Sequence, residues 1–367
     1  MKIGILTFHT PINYGAVLQA YALQKFLKLQ YSQYTICNID FKTEEHIKRY
    51  NIFAPLRRNV IKYIYEQLCI LFRYSALKRR KSKFNLFVSE ELNLTKRFET
   101  TEKLLGNMPE MDVYLVGSDQ VFHPSSPYLR AYYFDFVKGN ARKIAYAPSF
   151  GMSDFTEQIK NRIAPHLKDF DVLSCREKDG ADFICNIIGK EVPTVLDPVF
   201  LLNKEQWSEI AVEPTIKEKY IFVYDLNGKE NLITIAKKIK EKTGFKIICQ
   251  TQSASKFYNI DQQRFDSGPR EFVGLIKNSE YVVTDSFHGT AFSILFNKPQ
   301  FIYNAKPKAS SRIFSLMKMI GLEDRIVEYG MSKTFVYNSN DFCFDYSNKL
   351  DELIAESKLF LKNSVEV

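Results

Sequence analysis

The most informative residue for chemistry is His288, which stands between a strand-like and a helix-like pattern in TDSFHGTAFSILF. A side chain placed there lies at the carboxyl end of a strand and the amino end of a helix. Open α/β sheets bind ligands at this position, and the helix dipole favours an anion. An imidazole gains and loses protons near neutral pH, so His288 is a candidate acid or base. The alternative is a loop histidine that only forms structural hydrogen bonds.

The elements that must position His288 predict an α/β fold. The chain begins with a β-α-β pattern, made of the strand KIGILTF, a helical stretch after Gly15 and the strand TICNID. This pattern implies a right-handed crossover and a doubly wound sheet. A similar pattern restarts near residue 203 with YIFVYDL, a helix closed by Gly244, and FKIICQT. We therefore expect an N-terminal domain over residues 1–202, a C-terminal domain over 203–345, and a last helix over 346–367 that packs back on the first domain.

The composition fits a folded protein of about two domains. The 367 residues are 45% hydrophobic with only 15 Gly and 13 Pro, which excludes fibrous and low-complexity chains. The six cysteines are scattered without zinc-like or CxxC spacing, so we expect free thiols and no metal site. The apolar run at the N-terminus breaks at His9 and Pro11, unlike a signal peptide, and no stretch is long enough to span a membrane. We expect a cytoplasmic protein.

The positive charge is concentrated in one segment. Fourteen Lys or Arg and six Asp or Glu between Lys42 and Glu99 account for +8 of the net charge of +9. This clustering argues against a nucleic-acid binder with a uniformly basic surface. Within the segment, residues 46–87 form a basic amphipathic helical pattern. It either covers the sheet as a solvated helix pair or docks peripherally on the anionic inner face of the cell membrane. Its apolar positions are Ile61, Ile64, Tyr65, Leu68, Leu71 and Phe72.

Six motifs make the sequence resemble a known family. They are, in order, NYGAVLQAYALQKFL, VGSDQVF, YAPSFG, SCREKDG, VLDPVFLL and TDSFHGTAFSILFNKPQF. On these motifs the chain resembles the polysaccharide pyruvyl transferase family from Met1 to about Arg325. The resemblance implies two Rossmann-like α/β domains facing a cleft, as in glycosyltransferases of the GT-B type. It also implies transfer of the pyruvyl group of phosphoenolpyruvate onto two hydroxyls of a sugar, forming a ketal without a metal or other cofactor. The acceptor would be a bacterial polysaccharide unit or a lipid-linked glycan precursor.

The resemblance further implies which residues hold the donor. His288 matches the family's motif histidine and would be the general acid that protonates the methylene carbon. Arg176 matches the motif arginine, whose guanidinium suits a carboxylate or a phosphate, and Lys178 is close in sequence. Many members have Arg-Leu-His where this chain has Ser286-Phe287-His288, which removes one cation. The expected donor-binding residues are Arg176, Lys178, Ser286, Gly289, Thr290, Ser311 and Arg312.

Arg312 is the candidate replacement for the missing cation. It follows Ser310 and Ser311 at the start of a helical pattern, where N–H groups, hydroxyls and a guanidinium together suit a phosphate. A plain capped helix with a solvated arginine has the same signature, so both interpretations stand at this point.

The first half is expected to bind the sugar acceptor. Asp119 in VGSDQVF follows a strand and is a candidate base for an acceptor hydroxyl, or alternatively a turn-stabilising Asx residue. The expected acceptor-binding residues are Asn13, Tyr14, Gly15 and Ser118. Two other functions stay open. One is a GT-B-type glycosyltransferase that uses a sugar nucleotide, and the other is a non-catalytic glycan- or membrane-binding protein.

Overall fold

A computed structural model of the chain describes residues 1–10, 12–45, 52–53, 59–108, 110–137, 139–304, 311–328 and 347–366. Part of the basic segment, within residues 46–58, lies outside these ranges, and so does the end of the second predicted domain.

The first half contains a five-stranded parallel sheet in the order β2-β1-β3-β4-β5. Its strands are β1 (Lys2–Leu6), β2 (Thr35–Asn38), β3 (Val113–Val116), β4 (Arg142–Ala145) and β5 (Val172–Leu173). The helices described in this half are α1 (Tyr14–Gln30), α2 (Val60–Phe72), α3 (Tyr74–Glu91), α4 (Thr101–Asn107), α5 (Leu129–Tyr132), α6 (Glu157–Leu167) and α7 (Lys178–Ile188).

The second half contains a six-stranded parallel sheet in the order β11-β10-β9-β6-β7-β8. Its strands are β6 (Tyr220–Asp225), β7 (Lys246–Thr251), β8 (Gln262–Arg264), β9 (Tyr281–Thr284), β10 (Gln300–Asn304) and β11 (Ile326–Glu328). The helices described here are α8 (Lys204–Ile210), α9 (Glu230–Thr243), α10 (Pro269–Lys277), α11 (Phe287–Leu295), α12 (Ser311–Met319) and α13 (Ser347–Val365). Gly244 ends α9 with a left-handed φ of 73°, as predicted.

Helix α1 is buried on nearly all sides because it lies between the two halves. It packs on β2 within its own half and on α10 and α11 of the other half. The residues Tyr14–Gln24 contain no charged side chain, and the amide nitrogen of Gln19 donates to Thr7 Oγ1 at 2.8 Å. One apolar cluster therefore runs from the first sheet through α1 into the second sheet, which holds the halves together.

The carboxyl ends of the two sheets face each other across a cleft. Ser118 and Asp119 follow β3, Arg176 follows β5, and His288 follows β9. Polar atoms of Ser118 and Asp119 lie within 4.0 Å of the Arg176 guanidinium, and His288 approaches the carboxylate that pairs with Arg176. In parallel sheets the loops at this edge carry the ligand sites. The fold thus assembles polar groups from both halves at one place.

The last helix, α13, returns to the first half. The backbone N–H of Leu196 donates to Ser357 Oγ at 2.9 Å, and Tyr31 donates to the carboxylate of Glu366 at 2.8 Å. Phe360 packs near the ring of Tyr146.

Helix α2 turns its apolar face outward, so this face does not cover the sheet, which was one of the two interpretations of the segment. Ile61 is 83% exposed and Phe72 85% exposed, whereas the side facing the protein carries Glu66 and Cys69. The other apolar positions of the same face, Ile64, Tyr65, Leu68 and Leu71, are each at least half exposed. Among the described helices, none is long and apolar enough to cross a membrane.

Candidate active site

The centre of the cleft is a buried ion pair between Arg176 and Asp197. Arg176 Nη1 donates to Asp197 Oδ2 at 2.5 Å, and Ser118 Oγ donates to the same oxygen at 2.8 Å. His288 Nε2 lies 3.5 Å from that oxygen and brings in the second half. The guanidinium of Arg176 also stacks 4.4 Å from the ring of Phe287, which is a favourable cation–π geometry.

A second arginine enters the same site. Arg312, at the start of α12, has Nη1 4.0 Å from Asp119 Oδ1, and Arg176 Nη2 is also 4.0 Å from that oxygen. The carboxylate of Asp119 therefore lies between two guanidinium groups from different halves. Burial, together with the positive charge of Arg176, lowers the pKa of Arg312. Binding an anion there would relieve this repulsion.

The position of His288 depends on Gly15. A Cβ atom on residue 15 would overlap the imidazole ring, so the ring rests directly on the backbone at the start of α1. The side chain of Asn13 caps α1 by accepting from the N–H of Gly15 at 3.0 Å. The NYG motif thus shapes the floor of the cleft beneath His288.

Asp197 is the main functional residue that the sequence analysis missed. Burial raises the pKa of its carboxyl, but His288 and Arg176 lower it more, so the net pKa is below its ordinary value. Burial lowers the pKa of Arg176, and Asp197 reverses this, so the net pKa of Arg176 is raised. The available signal was the Asp-Pro pair in VLDPVFLL, where Asp197 also caps a 3-10 turn by accepting from the N–H of Val199.

Glu177 is a second missed residue, and it holds a loop of the site. Its Oε1 accepts from Ser149 Oγ at 3.0 Å and from the N–H of Phe150 at 2.8 Å. Burial raises the pKa of its carboxyl. Glu177 therefore fixes the YAPSFG loop next to Arg176.

The cleft contains several buried polar atoms without a hydrogen-bond partner. In the part of the chain that the structure describes, these are Arg176 Nε and Nη2, Arg312 Nε, His288 Nε2 and Glu177 Oε2. Four of these atoms are nitrogens of Arg176, Arg312 and His288, whereas Glu177 Oε2 is an acceptor. Buried polar groups are normally paired, so the cluster of nitrogens indicates a ligand that accepts hydrogen bonds. A phosphate or carboxylate has the required acceptor oxygens.

A comparison with protein families gives this site its context. The family model for polysaccharide pyruvyl transferase matches residues 13–307, which cover every motif from NYG to the helix after His288. The chain belongs to this family. No curated protein matches the sequence closely enough to add a relative. The family match supports a transferase that acts on a polysaccharide or its sugar units.

A solved structure shares the predicted architecture of two parallel α/β halves. UDP-GlcNAc 2-epimerase from Methanocaldococcus jannaschii superposes with a TM-score of 0.50 at 12% identity, covering 97% of this chain and 99% of that one. The glycosyltransferase SsfS6 of Streptomyces sp. SF2575 is 12% identical, with a TM-score of 0.45, and the match covers 98% and 96% of the two chains. The similarity therefore concerns the fold, in which two parallel α/β halves face a cleft.

Two predicted ligand-binding side chains lie elsewhere. Lys178 is 71% exposed and pairs with Asp182 along α7, because the helix turns this side chain outward. Tyr14 is fully buried; it stacks on Phe272 and donates to the carbonyl of Ser267 at 2.7 Å. Neither side chain therefore contributes to the cluster around His288, and the structure lends no support to a donor role of Lys178 or an acceptor role of Tyr14.

Several other predicted residues form hydrogen bonds within the loop after β9 and the first turn of α11. Ser286 caps α11 by accepting from the N–H of Gly289 at 3.4 Å, and Thr290 donates to the carbonyl of Ser286 at 3.0 Å. This N–H and the Thr290 hydroxyl are thus already paired within the helix terminus, and Ser118 belongs to the ion pair. The backbone of Ser311 opens α12, and its side chain lies outside the described atoms.

Asp119 is held in a backbone conformation that normally requires glycine. Its φ is 74° and its ψ is −175°, a region in which a side chain costs about 1–3 kcal/mol. We expect Asp119→Gly to be more stable than Asp119→Asn by about 1 kcal/mol. The strain that glycine relieves exceeds the extra conformational entropy that glycine loses on folding. Both variants lack the carboxylate, so urea unfolding of the two isolates the backbone effect. Equal or lower stability of the glycine variant would refute stored strain.

Proposed function

We propose that this protein transfers the pyruvyl group of phosphoenolpyruvate onto two hydroxyls of a sugar, forming a ketal on a bacterial polysaccharide unit or a lipid-linked precursor. One observation carries the proposal. The cleft of a pyruvyl transferase family member gathers two arginines and a histidine whose buried nitrogens lack partners. Phosphoenolpyruvate offers both a phosphate and a carboxylate to such a set.

The two arginines have different tasks in this proposal. Arg176 is anchored by Asp197 and presents Nε and Nη2, while Arg312 presents Nε from the other half. Together they bind the two anionic groups of the donor, and Arg312 supplies the cation that Ser286 does not. Positioning both reactants between the halves would remove much of the entropic barrier, on the order of 7–11 kcal/mol in favourable cases.

The reaction then requires one proton donor and one base. His288 gives a proton to the methylene carbon, which leaves C2 with oxocarbenium character. The first sugar hydroxyl bonds to C2 and loses its proton to Asp119. The second hydroxyl displaces phosphate from C2, and its proton leaves with the phosphate. The products are the ketal and inorganic phosphate, and transfer of the proton from Asp119 back to His288 through solvent restores the enzyme.

Thermal melting with phosphoenolpyruvate tests the donor. A ligand that binds only the folded state at 100 times its Kd stabilises by about 2.7 kcal/mol, so Tm should rise by several degrees. We expect Arg312→Gln to lose most of this shift, and the control Lys318→Gln, an exposed cation of the same helix, to keep it. A shift with a nucleotide sugar but none with phosphoenolpyruvate would overturn the proposal in favour of a glycosyltransferase.

We also propose that the outward apolar face of α2 docks on an anionic membrane surface. Ile61, Ile64, Leu68 and Phe72 form one exposed stripe, and the segment around it has a net charge of +8. An exposed apolar helix face in a basic segment has the properties of an interfacial helix. Each cation close to anionic lipid adds about 1 kcal/mol.

Replacing this stripe should weaken membrane binding without unfolding the protein. We expect the combined substitutions Ile64→Ser, Leu68→Ser and Phe72→Ser to remove most co-sedimentation with vesicles that contain phosphatidylglycerol. Leu29→Ser with Leu359→Ser is a matched control, because both leucines are more than half exposed on other helices. Equal binding by the stripe variant and the control, or equal binding to neutral phosphatidylcholine vesicles, would contradict the proposal.

A further inference from the structure

A second polar pocket opens at the same edge of the first sheet, separate from the His288 cluster. Its volume is about 350 Å³, and it lies between the loops after β1 and β2 and the helix α3. Its polar lining includes His9, Asp40, Lys42, Lys81, Asn85 and Arg97.

The pocket carries an excess of positive charge. Asp40 Oδ2 accepts from Arg97 Nε at 3.0 Å, and Asp40 Oδ1 lies 3.3 Å from His9 Nε2. Within the described ranges, neither Lys42 nor Lys81 has a carboxylate within 4.0 Å. Burial lowers the pKa of Lys42, and so do the like charges of Arg97 and Lys81. Three cations thus surround a single carboxylate in a concave site.

The pocket lies a short distance from the site of transfer. Lys42 follows β2, His9 follows β1, and Asp119 follows β3, and these three strands are neighbours in the sheet. Adjacent strands are about 4.8 Å apart, so β2 and β3 are separated by about 10 Å. One or two sugar rings can span this separation. His9 lines the pocket, and Asn13, four residues later, caps the helix beneath His288.

We propose that this pocket binds a phosphate or diphosphate ester on the acceptor, so that the acceptor is a sugar carried on an anionic phosphate group. The assignment to the acceptor rests on the proposed function, whereas the binding of phosphate depends only on the pocket. Lys42, Lys81 and Arg97 would hold the phosphate oxygens by charge-assisted hydrogen bonds. The sugar would then extend toward Asp119 and His288.

Calorimetric titration with inorganic pyrophosphate tests the pocket in the full chain. We expect the double variant Lys42→Gln/Lys81→Gln to weaken pyrophosphate binding at least about tenfold, because it removes two charged donors. Lys237→Gln/Lys242→Gln removes the same charge from the exposed face of α9 and should bind as the wild type does. The Tm shift caused by phosphoenolpyruvate should survive in the pocket variant.

Arg312→Gln separates this proposal from the proposed function. It should remove most of the phosphoenolpyruvate shift and leave the pocket-dependent pyrophosphate binding unchanged. Pyrophosphate binding that depends on Arg312 but not on the two lysines would overturn the pocket. Pocket-dependent pyrophosphate binding without any phosphoenolpyruvate shift would support the pocket and overturn the donor assignment.

Two further ligands distinguish the source of the diphosphate. If uridine diphosphate binds more tightly than pyrophosphate in a lysine-dependent way, the acceptor is a nucleotide sugar. If farnesyl diphosphate binds more tightly than pyrophosphate in a lysine-dependent way, the acceptor is a lipid-linked sugar. This outcome would agree with the exposed apolar face of α2, the helix immediately before α3. Failure of both ligands and of pyrophosphate to bind would refute the site.

Discussion

Replacing His288 by glutamine is expected to slow pyruvyl transfer by a factor of about 10²–10⁴. Glutamine keeps hydrogen-bonding capacity beside Asp197, but it cannot deliver a proton to carbon. The imidazole rests on the backbone of Gly15, and its Nε2 lies 3.5 Å from Asp197 Oδ2, just beyond the length of an ordinary hydrogen bond. Release of phosphate from phosphoenolpyruvate in the presence of a sugar-diphosphate acceptor measures the loss.

The same variant separates a chemical role from a structural one. We expect His288→Gln to keep the Tm shift with phosphoenolpyruvate, since the two arginines remain. A variant with near-normal phosphate release would exclude His288 as the acid. If the wild-type protein itself releases no phosphate, and the variant keeps every measurable binding function, the non-catalytic glycan- or membrane-binding alternative is favoured.

Replacing Asp197 by asparagine is expected to reduce the free energy of unfolding by about 3–5 kcal/mol. The carboxylate is fully buried and holds Arg176 at 2.5 Å, so its loss leaves the buried guanidinium with only the more distant carboxylate of Asp119, 4.0 Å away. Urea unfolding at pH 7 measures the change. The double variant Arg176→Gln/Asp197→Asn removes both charges and should lose less than the sum of the single losses. Additive losses would show that the pair is not coupled.

The pH dependence of this pair has a definite sign. The pKa of Asp197 is below its ordinary value of about 4 in the folded protein. The ion pair therefore contributes its full stability above the pKa of the unfolded chain and loses it as the pH falls below about 4 toward the folded pKa. We expect the difference in unfolding free energy between wild type and Asp197→Asn to be constant from pH 5 to 7 and to shrink below pH 4. A constant difference down to pH 3 would contradict this linkage.

The sequence by itself determined the fold class and the place of the central histidine. Alternating apolar strands and amphipathic helices predict parallel α/β halves, because each strand must be followed by a crossover before the next parallel strand begins. The place of His288 in the first turn of α11, shortly after β9, was predictable for the same reason, as was Gly244 at the end of α9. The NYG motif was expected to bind the acceptor, and in the structure its Gly15 lies against the ring of His288.

Only the tertiary structure decided which side chains meet at the site. Asp197, Arg176 and His288 come from three separated parts of the chain, and no local pattern reports that they share one buried carboxylate. The outward orientation of the apolar face of α2 could not be predicted for the same reason. Periodicity shows that a helix has an apolar stripe, but what packs against that stripe depends on neighbours that are distant in sequence. Lys178 and Arg312 carry similar charge near a helix start, and the direction of the side chain places one in solvent and the other in the cleft.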